Sequence, residues 1–474
     1  MKIENLFVGA AYQSRSVNLS AQRRVNVYLE TTPDQKAALY ATPGTTLFAT
    51  AGDGPIQGLI ATPDYMYAVS DNYAYAIQAS GAVTAIGVCS GNNVRASMEY
   101  NGTQVFIARG SRCYLIDTSL NIISEITDTD LPGAVDIVQF MNGFFLLNSG
   151  GTNRFYITEN VYDGSSINGT DYGTKSETPD DVISHIADHN EWVIFGEYSS
   201  VIYVPSENVD FPFEKMSGTQ LEYGIAAKYS AAKGDNSIFW LAKSRYGTGQ
   251  IVKLSGYQPL IISTRAIEYQ ISTYTTIDDA FGYCYQDGGH TFYVLTFPTA
   301  NKTWVYDSCV QDPEMAWHER TSYQNGSFEN RHRSNAYCFF NGKHYVGDFQ
   351  NGKIYQLDNN AYDDNGSAKN WIATSMQLPP GRYHSLRAHF EEGVGLVTGQ
   401  GSDPQVMLEI SDDDGHTWSS QESKSIGALG AYDTRVYWPK LGYTRSSRVF
   451  RMSGTDPVKW VIRDADLNYD PMRA

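Results

Sequence analysis

The sequence predicts an all-β protein, with a β-propeller of about seven blades, closed by an N-terminal strand, followed by a C-terminal antiparallel β-sandwich. The first observation behind this is a strand–turn–strand pattern that recurs about seven times. Each copy joins two runs of β-branched and aromatic residues through a Gly, Ser, Asp or Asn turn, as in a β-hairpin. The copies begin 38 to 53 residues apart, which fits one four-stranded blade each. They lie at 67–77, 105–117, 144–158, 193–204, 239–254, 291–307 and 344–358.

The second and third observations are the composition and the point at which the repeat stops. Charged residues are only 18% of the chain and glycines number 42, as expected where strands alternate with tight turns. Beyond about residue 366 the hairpin pattern ends and longer alternating runs follow, which is typical of a sandwich. The predicted divisions are an N-terminal arm at 1–37, the propeller at 38–366 and the sandwich at 367–474.

The individual elements follow in chain order. The run at 38–50 reads as a strand, a Pro43-Gly44 turn and a second strand, and is the candidate for the strand that closes the propeller. One further strand ahead of each of the first four hairpins is expected to line the central channel. These four runs are 55–62, 94–100, 135–141 and 182–188.

Two segments interrupt the repeat, and a third predicts a helix. The polar segment 163–181 and the segment 310–334 are expected to be long exposed connections. The run Arg265–Ser272 is the one segment that predicts a short helix.

The charge argues against nucleic-acid recognition, because phosphate binding needs clustered Lys and Arg and the net charge is −17. Residues 371–474 hold 11 basic and 13 acidic residues, a net −2, which leaves −15 for residues 1–370. Within 435–463, seven basic residues accompany the single acid Asp456. This basic segment either docks on an acidic neighbour or reflects strands that alternate Arg outward with apolar residues inward. Both interpretations stay open at this point.

No motif identifies an active site. Ser411–Trp418 matches the Asp-box S-x-D-x-G-x-T-W of sialidases, but there is one copy and it lies outside the repeats, so a turn-only role is predicted. His185 and His189 lack the flanks of a helical zinc motif. The prediction is therefore no catalytic residue, no cofactor and no metal.

The cellular setting is predicted from what the chain lacks. The five cysteines form no CxxC pair and are expected to be reduced. No run reaches the ~18 apolar residues of a membrane span, and the N-terminus has too short an apolar run for a secretory signal. The expected compartment of synthesis is the cytoplasm.

The C-terminal run Arg435–Gly442, followed by Arg445 and Arg448–Arg451, resembles the end of the tail hub proteins of short-tailed bacteriophages, also called nozzle or packaged-DNA stabilisation proteins. Other pieces agree with that family in order. They are Val25–Tyr28, the strand into Pro43-Gly44, and Glu177–Asp180 ahead of a blade strand.

The resemblance implies a structural virion protein that is not an enzyme. It implies a homo-hexamer below the portal and adaptor rings, which extends the DNA channel, helps to retain packaged DNA and offers surfaces to tail spikes or fibres and to a plug or needle. Double-stranded DNA then passes without sequence-specific binding. The protein would be assembled in the host bacterial cytoplasm and located in the virion tail.

Two further predictions assign surfaces to this role. Acidic blade residues are expected to face the lumen, because Lys and Arg there would hold phosphates. The C-terminal basic segment is expected to face protein neighbours. Its candidate interface residues are Arg435, Trp438, Lys440, Arg445, Arg448 and Arg451.

Two alternatives remain. A carbohydrate-active or glycan-binding propeller would need converging carboxylates or an aromatic cleft at the channel mouth. A generic propeller scaffold for an unknown partner would need neither. A glycan activity screen beside a mass measurement separates the first alternative from the tail hub.

Overall fold

The structure, a computed structural model, describes residues 2–3, 6–8, 21–31, 37–92, 95–176, 178, 180–209 and 211–472. Seven antiparallel sheets form the blades of a propeller, which confirms the predicted fold class. The first four blades are consecutive four-stranded meanders. Their strands are β6 (Ile56–Ala61), β7 (Tyr65–Ser70), β8 (Tyr73–Gln78) and β9 (Val83–Val88); β10 (Ser97–Tyr100), β11 (Gln104–Ala108), β12 (Cys113–Asp117) and β13 (Ile122–Glu125); β14 (Val138–Met141), β15 (Phe144–Asn148), β16 (Arg154–Thr158) and β17 (Ile167–Thr174); and β18 (Val182–Asp188), β19 (Glu191–Gly196), β20 (Ser200–Pro205) and β21 (Phe213–Lys215).

The last three blades are less regular. Their strands, with one separate hairpin, are β22 (Gly224–Ile225), β23 (Ala232–Gly234), β24 (Ser237–Ser244), β25 (Gly247–Ser255) and β26 (Gln258–Ile261); β27 (Phe281–Asp287), β28 (His290–Phe297), β29 (Lys302–Asp307) and β30 (Trp317–Glu319); β31 (Thr321–Gln324) and β32 (Ser327–Arg331); and β33 (Ser334–Phe340), β34 (Lys343–Asp348) and β35 (Lys353–Asp358). In the fifth blade, β22 and β23 share the inner position beside β24, and the predicted helix α1 (Arg265–Ser272) follows the blade. The hairpin of β31 and β32 lies between the sixth and seventh blades.

Turn chemistry explains the spacing of several hairpins. Asn142 and Gly143 both have positive φ, at 52° and 89°, as do Asn341 and Gly342, at 48° and 76°. Two consecutive residues with positive φ form a hairpin turn whose twist matches that of the paired strands. Asn-Gly is the pair that adopts this turn most readily. The sequence therefore places these turns by itself.

The N-terminus closes the propeller. Strand β5 (Gly44–Thr50) pairs with β35 and supplies the outermost strand of the seventh blade, which confirms the predicted closure. The other half of the run at 38–50 behaves differently, because β4 (Ala37–Ala41) joins a sheet of the sandwich. The chain thus crosses from sandwich to propeller at Thr42 and Pro43.

Neighbouring blades are linked at the channel by hydrogen bonds from side chains. His185 Nε2 lies 3.1 Å from Ile137 O, and the Tyr283 hydroxyl donates to Ser334 Oγ at 3.0 Å. Asn335 Nδ2 donates to Ile56 O at 2.8 Å and so joins the last blade to the first. Apolar clusters fill the space between successive blades, so each blade is buried on both faces.

The sandwich contains two sheets. Its strands are β1 (Lys2–Ile3), β2 (Arg24–Val25), β3 (Val27–Thr31), the strand β4 already described, β36 (Trp371–Thr374), β37 (Gly381–Phe390), β38 (Gln405–Ser411), β39 (Glu422–Ser425), β40 (Val436–Thr444), β41 (Val449–Gly454) and β42 (Val461–Pro471). One sheet has the order β3-β4-β42-β37-β40, with β1 added at β42. The other contains β2, β36, β41, β38 and β39.

Propeller and sandwich share one sheet. Strand β2 pairs in parallel with β30 of the sixth blade and antiparallel with β36 of the sandwich, which gives a continuous nine-stranded sheet. The largest apolar cluster also runs from blades five and six into the sandwich. The domain boundaries at 37 and 366 stay a prediction, and the N-terminal segment serves both parts.

Two expectations about connections were wrong. Residues 167–174 form β17, the outer strand of the third blade, although the sequence predicts a loop over the whole segment 163–181. Glu177 and Pro179, which belong to the family resemblance, lie outside the described residues. The segment 310–334 contains three short strands, and its Arg331 and His332 are buried. Polar composition led to these wrong predictions because an outer strand and a solvent-facing loop have similar residue compositions.

Candidate functional site

A cavity of about 530 Å³ opens at one end of the propeller channel. It lies where inner strands of blades one, two, five, six and seven begin, so it exists only when the ring is closed. Its lining carries three cations and two acids, and the remainder is polar or aromatic except for two prolines. The lining residues are Pro55, Gln57, Asn92, Arg95, Lys228, Tyr229, Asp278, Asp279, Phe281, Pro298, Arg331, Asn335 and Phe349.

Two arginines of this cavity lie on aromatic rings. The guanidinium carbon of Arg95 is 3.8 Å from the ring centre of Phe281, and that of Arg331 is 3.7 Å from the ring centre of Phe349. Arg95 also donates to the side chain and carbonyl of Asn335. Burial lowers the pKa of each guanidinium to about 10. Both groups are still charged at neutral pH.

Three buried polar atoms of the lining have no hydrogen-bond partner among the described residues. They are Nη1 of Arg331, the hydroxyl of Tyr229 and Oδ1 of Asp279. The other oxygen of Asp279 is occupied, because it accepts from the backbone N–H of Thr299 at 2.7 Å. Unpaired buried polar groups cost free energy, so three of them in one cavity are an unusual feature.

The inner strands also hold a carboxyl group with unusual protonation. Glu99 lies on β10, and burial raises its pKa to about 7, against the opposing effect of the positive charge of Lys233. The lining of the channel is therefore mixed in charge. The expectation that acidic blade residues face a DNA lumen concerns a different surface and stays a prediction.

The candidate interface residues of the sandwich divide into two groups. Trp438 is fully buried and donates its Nε1–H to Glu422 O at 3.2 Å. Arg448 is 3% exposed and Arg451 is half-buried. Arg435, Lys440 and Arg445 are exposed. Trp438 and Arg448 cannot touch a partner while the sandwich is folded, and the interface as a whole stays a prediction.

Arg448 and Arg451 hold the Asp-box turn against the sandwich. Arg448 donates Nε–H and Nη2–H to the two carboxylate oxygens of Asp412, at 2.6 and 2.7 Å. Arg451 pairs in the same way with Glu409, and its guanidinium lies 4.0 Å from the ring centre of Trp418. Both arginines are thus paired with carboxylates of the sandwich.

The Asp-box turn is held by its own side chains. Asp413 accepts from the backbone N–H of Thr417 at 2.8 Å and from its hydroxyl at 2.6 Å. These two bonds, with a further one from Ser411, lower the pKa of Asp413 to about 2. Gly415 takes a φ of 90° that a side chain would disfavour. These features all serve the turn itself.

Ion pairs with acidic side chains neutralise most of the positive charges of the basic segment 435–463. Lys459 pairs with Glu391 at 2.8 Å, and Arg463 lies 3.8 Å from Glu392. With the pairs of Arg448 and Arg451, four of the seven cations meet acids that lie earlier in the chain. The remaining three make no ion pair with any residue that the structure describes. They flank or lie on the edge strand β40, beside the exposed Tyr437 and Tyr443, and are Arg435, Lys440 and Arg445.

Sequence reasoning missed a buried ionisable cluster at the junction of propeller and sandwich. His318 and His332 are buried, and burial, reinforced by the nearby Arg320 and Lys369, holds the pKa of each well below its usual value. Lys369 donates to the carbonyls of Thr42 and Pro43, and burial lowers its pKa to about 8. The sequence predicts the segment 310–334, which holds both histidines, to be exposed, and Lys369 comes from a distant part of the chain.

Two other kinds of site are absent from the residues that the structure describes. No group of three or more His, Cys, Asp or Glu side chains there is placed to hold a metal ion. No helix there is long and apolar enough to cross a membrane.

Comparison with known families gives two matches in order along the chain. Residues 5–362 match the family described as bacteriophage P22 Gp10, β-propeller. Residues 385–470 match the family described as bacteriophage P22 Gp10, β-sandwich. No curated protein matches the sequence.

Solved structures give distant likenesses. The Pan2 WD40 domain of Neurospora crassa is 9% identical with a TM-score of 0.44, over 67% of this chain and 96% of that one. The extracellular domain of a putative one-component system from B. thetaiotaomicron is 9% identical with a TM-score of 0.44, over 88% and 59%. At this level of similarity, neither structure bears on the function of the chain.

Proposed function

The chain belongs to the family of bacteriophage P22 Gp10, and we propose that it is the tail hub, or nozzle, of a short-tailed phage. In this role it forms a homo-hexameric ring below the portal and adaptor proteins, extends their channel and helps to retain packaged DNA. The observation that carries the proposal is that both family domains are present, in order, over 5–362 and 385–470. The hexameric ring, the channel and the partners rest on that membership and on physical argument.

The charge of the chain supports a channel role. A net charge of −17 repels a DNA duplex over the Debye length of about 8 Å at physiological salt. A wall that bound phosphates would slow ejection, because each Lys or Arg contact adds to affinity. An acidic ring lets DNA pass without holding it.

The shared sheet supports a role under mechanical force. A packaged head exerts force on the ring that closes it, and two domains joined by a flexible linker would yield at the linker. Here the nine-stranded sheet crosses from blade six into the sandwich, and the apolar core is continuous across the same boundary. Separating the two parts would break backbone hydrogen bonds and expose apolar surface together.

The edge strand β40 supplies the proposed contact with neighbouring virion proteins. It pairs on one side only, with β37, and Tyr437, Lys440 and Tyr443 are exposed along it. Arg435 and Arg445 lie at its two ends. An edge with free backbone groups, two tyrosines and unpaired cations fits an acidic protein surface, either the adaptor or the next copy of the chain.

The experiment reverses these three charges together. The variant Arg435→Glu, Lys440→Glu and Arg445→Glu should fold normally, since all three side chains are exposed, but should fail to form rings on adaptor-bearing heads that lack this protein. Electron microscopy of the heads and mass measurement of the free protein give the readout. The wild-type chain is expected to add a six-fold ring.

The matched control reverses three exposed cations on the propeller, Arg112, Arg245 and Lys343. It makes the same change in net charge and should still assemble. Normal assembly of the β40 variant would remove this edge from the proposed interface. Absence of any ring from the wild-type chain on such heads, with turnover of a glycan substrate instead, would replace the tail hub by the carbohydrate-active alternative.

A further inference from the structure

The lining of the cavity at the propeller mouth includes buried polar atoms that have no hydrogen-bond partner among the described residues. We propose that it binds a carboxylate that carries an N–H donor close by, the chemistry of a peptide C-terminus or an N-acylated amino acid. This site is independent of the proposed assembly role, because it lies in the propeller and shares no residue with β40.

The unpaired donors indicate an anionic ligand. Arg331 is 7% exposed, its Nη1 has no partner among the described residues, and it lines the cavity beside Phe349. The hydroxyl of Tyr229 is a second buried donor without a partner on the same lining. An oxyanion, which accepts several hydrogen bonds, is the kind of ligand that suits unpaired donors in a lining.

The orientation of the arginines favours a carboxylate. Phe281 and Phe349 each cover one face of a guanidinium, and Nη1 and Nη2 of Arg95 already donate to Asn335, so the planar N–H edge that remains for a ligand is that of Arg331. That edge matches the two oxygens of a carboxylate. The rings that a sugar would need for stacking are already covered by cations, which disfavours a glycan.

The unpaired acceptor requires a donor on the ligand. Oδ1 of Asp279 is buried without a partner on the same lining, while Oδ2 is used by Thr299. A simple anion such as phosphate would leave this oxygen unpaired and be repelled by it. A ligand with an N–H beside its carboxylate satisfies Arg331, Tyr229 and Asp279 at once.

Lys228 does not change this assignment. Its Nζ is 2.9 Å from Asp136, so its charge is already paired outside the cavity. Asp278 is exposed at the rim. Three other charged groups of the lining, Arg95, Arg331 and Asp279, make no ion pair within 4 Å among the described residues, although the charge of Asp279 acts on Arg331, and they suit a ligand with one anionic group and one neutral donor.

The test uses three small probes of nearly the same shape on the full chain. N-acetylglycine has both the carboxylate and the N–H, levulinate replaces the N–H by a methylene, and N-acetylglycinamide replaces the carboxylate by a neutral amide. Titration calorimetry or NMR should give N-acetylglycine a dissociation constant on the order of 1 mM, as befits a fragment of this size. Levulinate should bind at least threefold more weakly, and the amide at least tenfold more weakly.

Variants locate the binding. Arg331→Lys keeps the charge but loses the planar edge and should weaken N-acetylglycine at least fivefold, while Asp279→Asn should erase the preference over levulinate. Arg154→Lys is the matched control, because Arg154 also lies on a ring, Tyr172, at 4.5 Å, but outside the cavity. Circular dichroism and melting curves establish that each variant is folded.

A short peptide that ends in Gly distinguishes the two sources of the ligand. Tighter binding than N-acetylglycine assigns the site to a protein C-terminus, and equal binding assigns it to a small N-acylated amino acid. No saturable binding of N-acetylglycine at concentrations tenfold above the expected constant overturns the proposal. Unchanged binding by Arg331→Lys, or equal binding of levulinate, does the same.

Discussion

Two sets of arginines in this protein have opposite surroundings. In the sandwich, Arg448 and Arg451 each donate two hydrogen bonds to one carboxylate, of Asp412 and Glu409 respectively. In the propeller cavity, Arg95 and Arg331 lie on aromatic rings, and Nη1 of Arg331 has no partner among the described residues. The sandwich arginines are paired with carboxylates within the fold and Arg95 donates to Asn335, whereas Arg331 has a donor that the fold does not use.

A cation's position in the sequence therefore says little about its availability for binding. The segment 435–463 is the most basic part of the chain, yet the fold neutralises four of its seven cations. Arg95 and Arg331 stand apart in sequence and become neighbours only when the propeller closes. What matters for binding is whether the N–H edges are already used.

The greatest loss of stability is expected in the sandwich. Arg448→Met should lower the free energy of unfolding by about 3 kcal/mol, because it leaves Asp412 and the carbonyl of Leu441 without their donor. This loss is at the low end of the range for breaking a buried ion pair, because the side chain of Asp412 is half-exposed. Urea unfolding followed by tryptophan fluorescence measures it. The exposed neighbour Arg445→Met should change stability by no more than about 0.5 kcal/mol.

The next effect concerns the junction histidines. His318 and His332 have folded pKa values well below their unfolded value of about 6.5, so the unfolded state binds more protons as the pH falls. Their stabilising contribution is present above pH 6.5 and is lost below it, by about 2 kcal/mol between about pH 6.5 and about pH 5.5. Unfolding curves across this range measure the slope.

Replacement of His332 by Gln should reduce that acid slope by about half, whatever it does to stability at neutral pH. A slope unchanged by the replacement would mean that other groups cause the acid sensitivity. The cavity should not contribute to this acid slope, because Arg331, the residue next to His332, stays charged throughout this pH range.

Glu99 should show the opposite pH dependence. Its folded pKa is about 7 against 4.5 unfolded, so the folded state binds the extra proton. Its contribution is complete below pH 4.5 and is lost as the pH rises through 7. Glu99→Gln should therefore raise stability at about pH 8 by about 1–2 kcal/mol, after allowance for solvent in the channel, and leave it unchanged at about pH 4.5. Equal effects at both pH values would contradict this account.

The weakest effect is expected in the cavity, and it sharpens the contrast between the two sets of arginines. Arg331→Met should change the free energy of unfolding by less than about 1 kcal/mol, because Met keeps the apolar contact with Phe349 and removes a buried donor that has no partner among the described residues. The same substitution at Arg448 should cost about three times as much. Similar losses at the two positions would show that Arg331 is also saturated by the fold.

Much of the architecture could be predicted because its signals are local. The alternation of apolar residues, the Asn-Gly turns at 142–143 and 341–342 and the helix Arg265–Ser272 are each encoded within a short stretch. The same holds for the Asp-box turn, whose bonds join Ser411, Asp413 and Thr417. The prediction was wrong at 167–174, where largely polar residues form a partly buried outer strand.

Local sequence was enough to specify seven hairpin units, a closing strand, a sandwich and a family resemblance, because propensity and turn chemistry act between residues close in the chain. The closed fold alone established that β2 joins blade six to the sandwich, that Arg448 is neutralised by Asp412, and that Arg331 meets Tyr229 and Asp279 in one cavity. The partners in each of these contacts are at least 36 residues apart. Their pairing depends on how the blades close around the axis, and no local pattern carries that information.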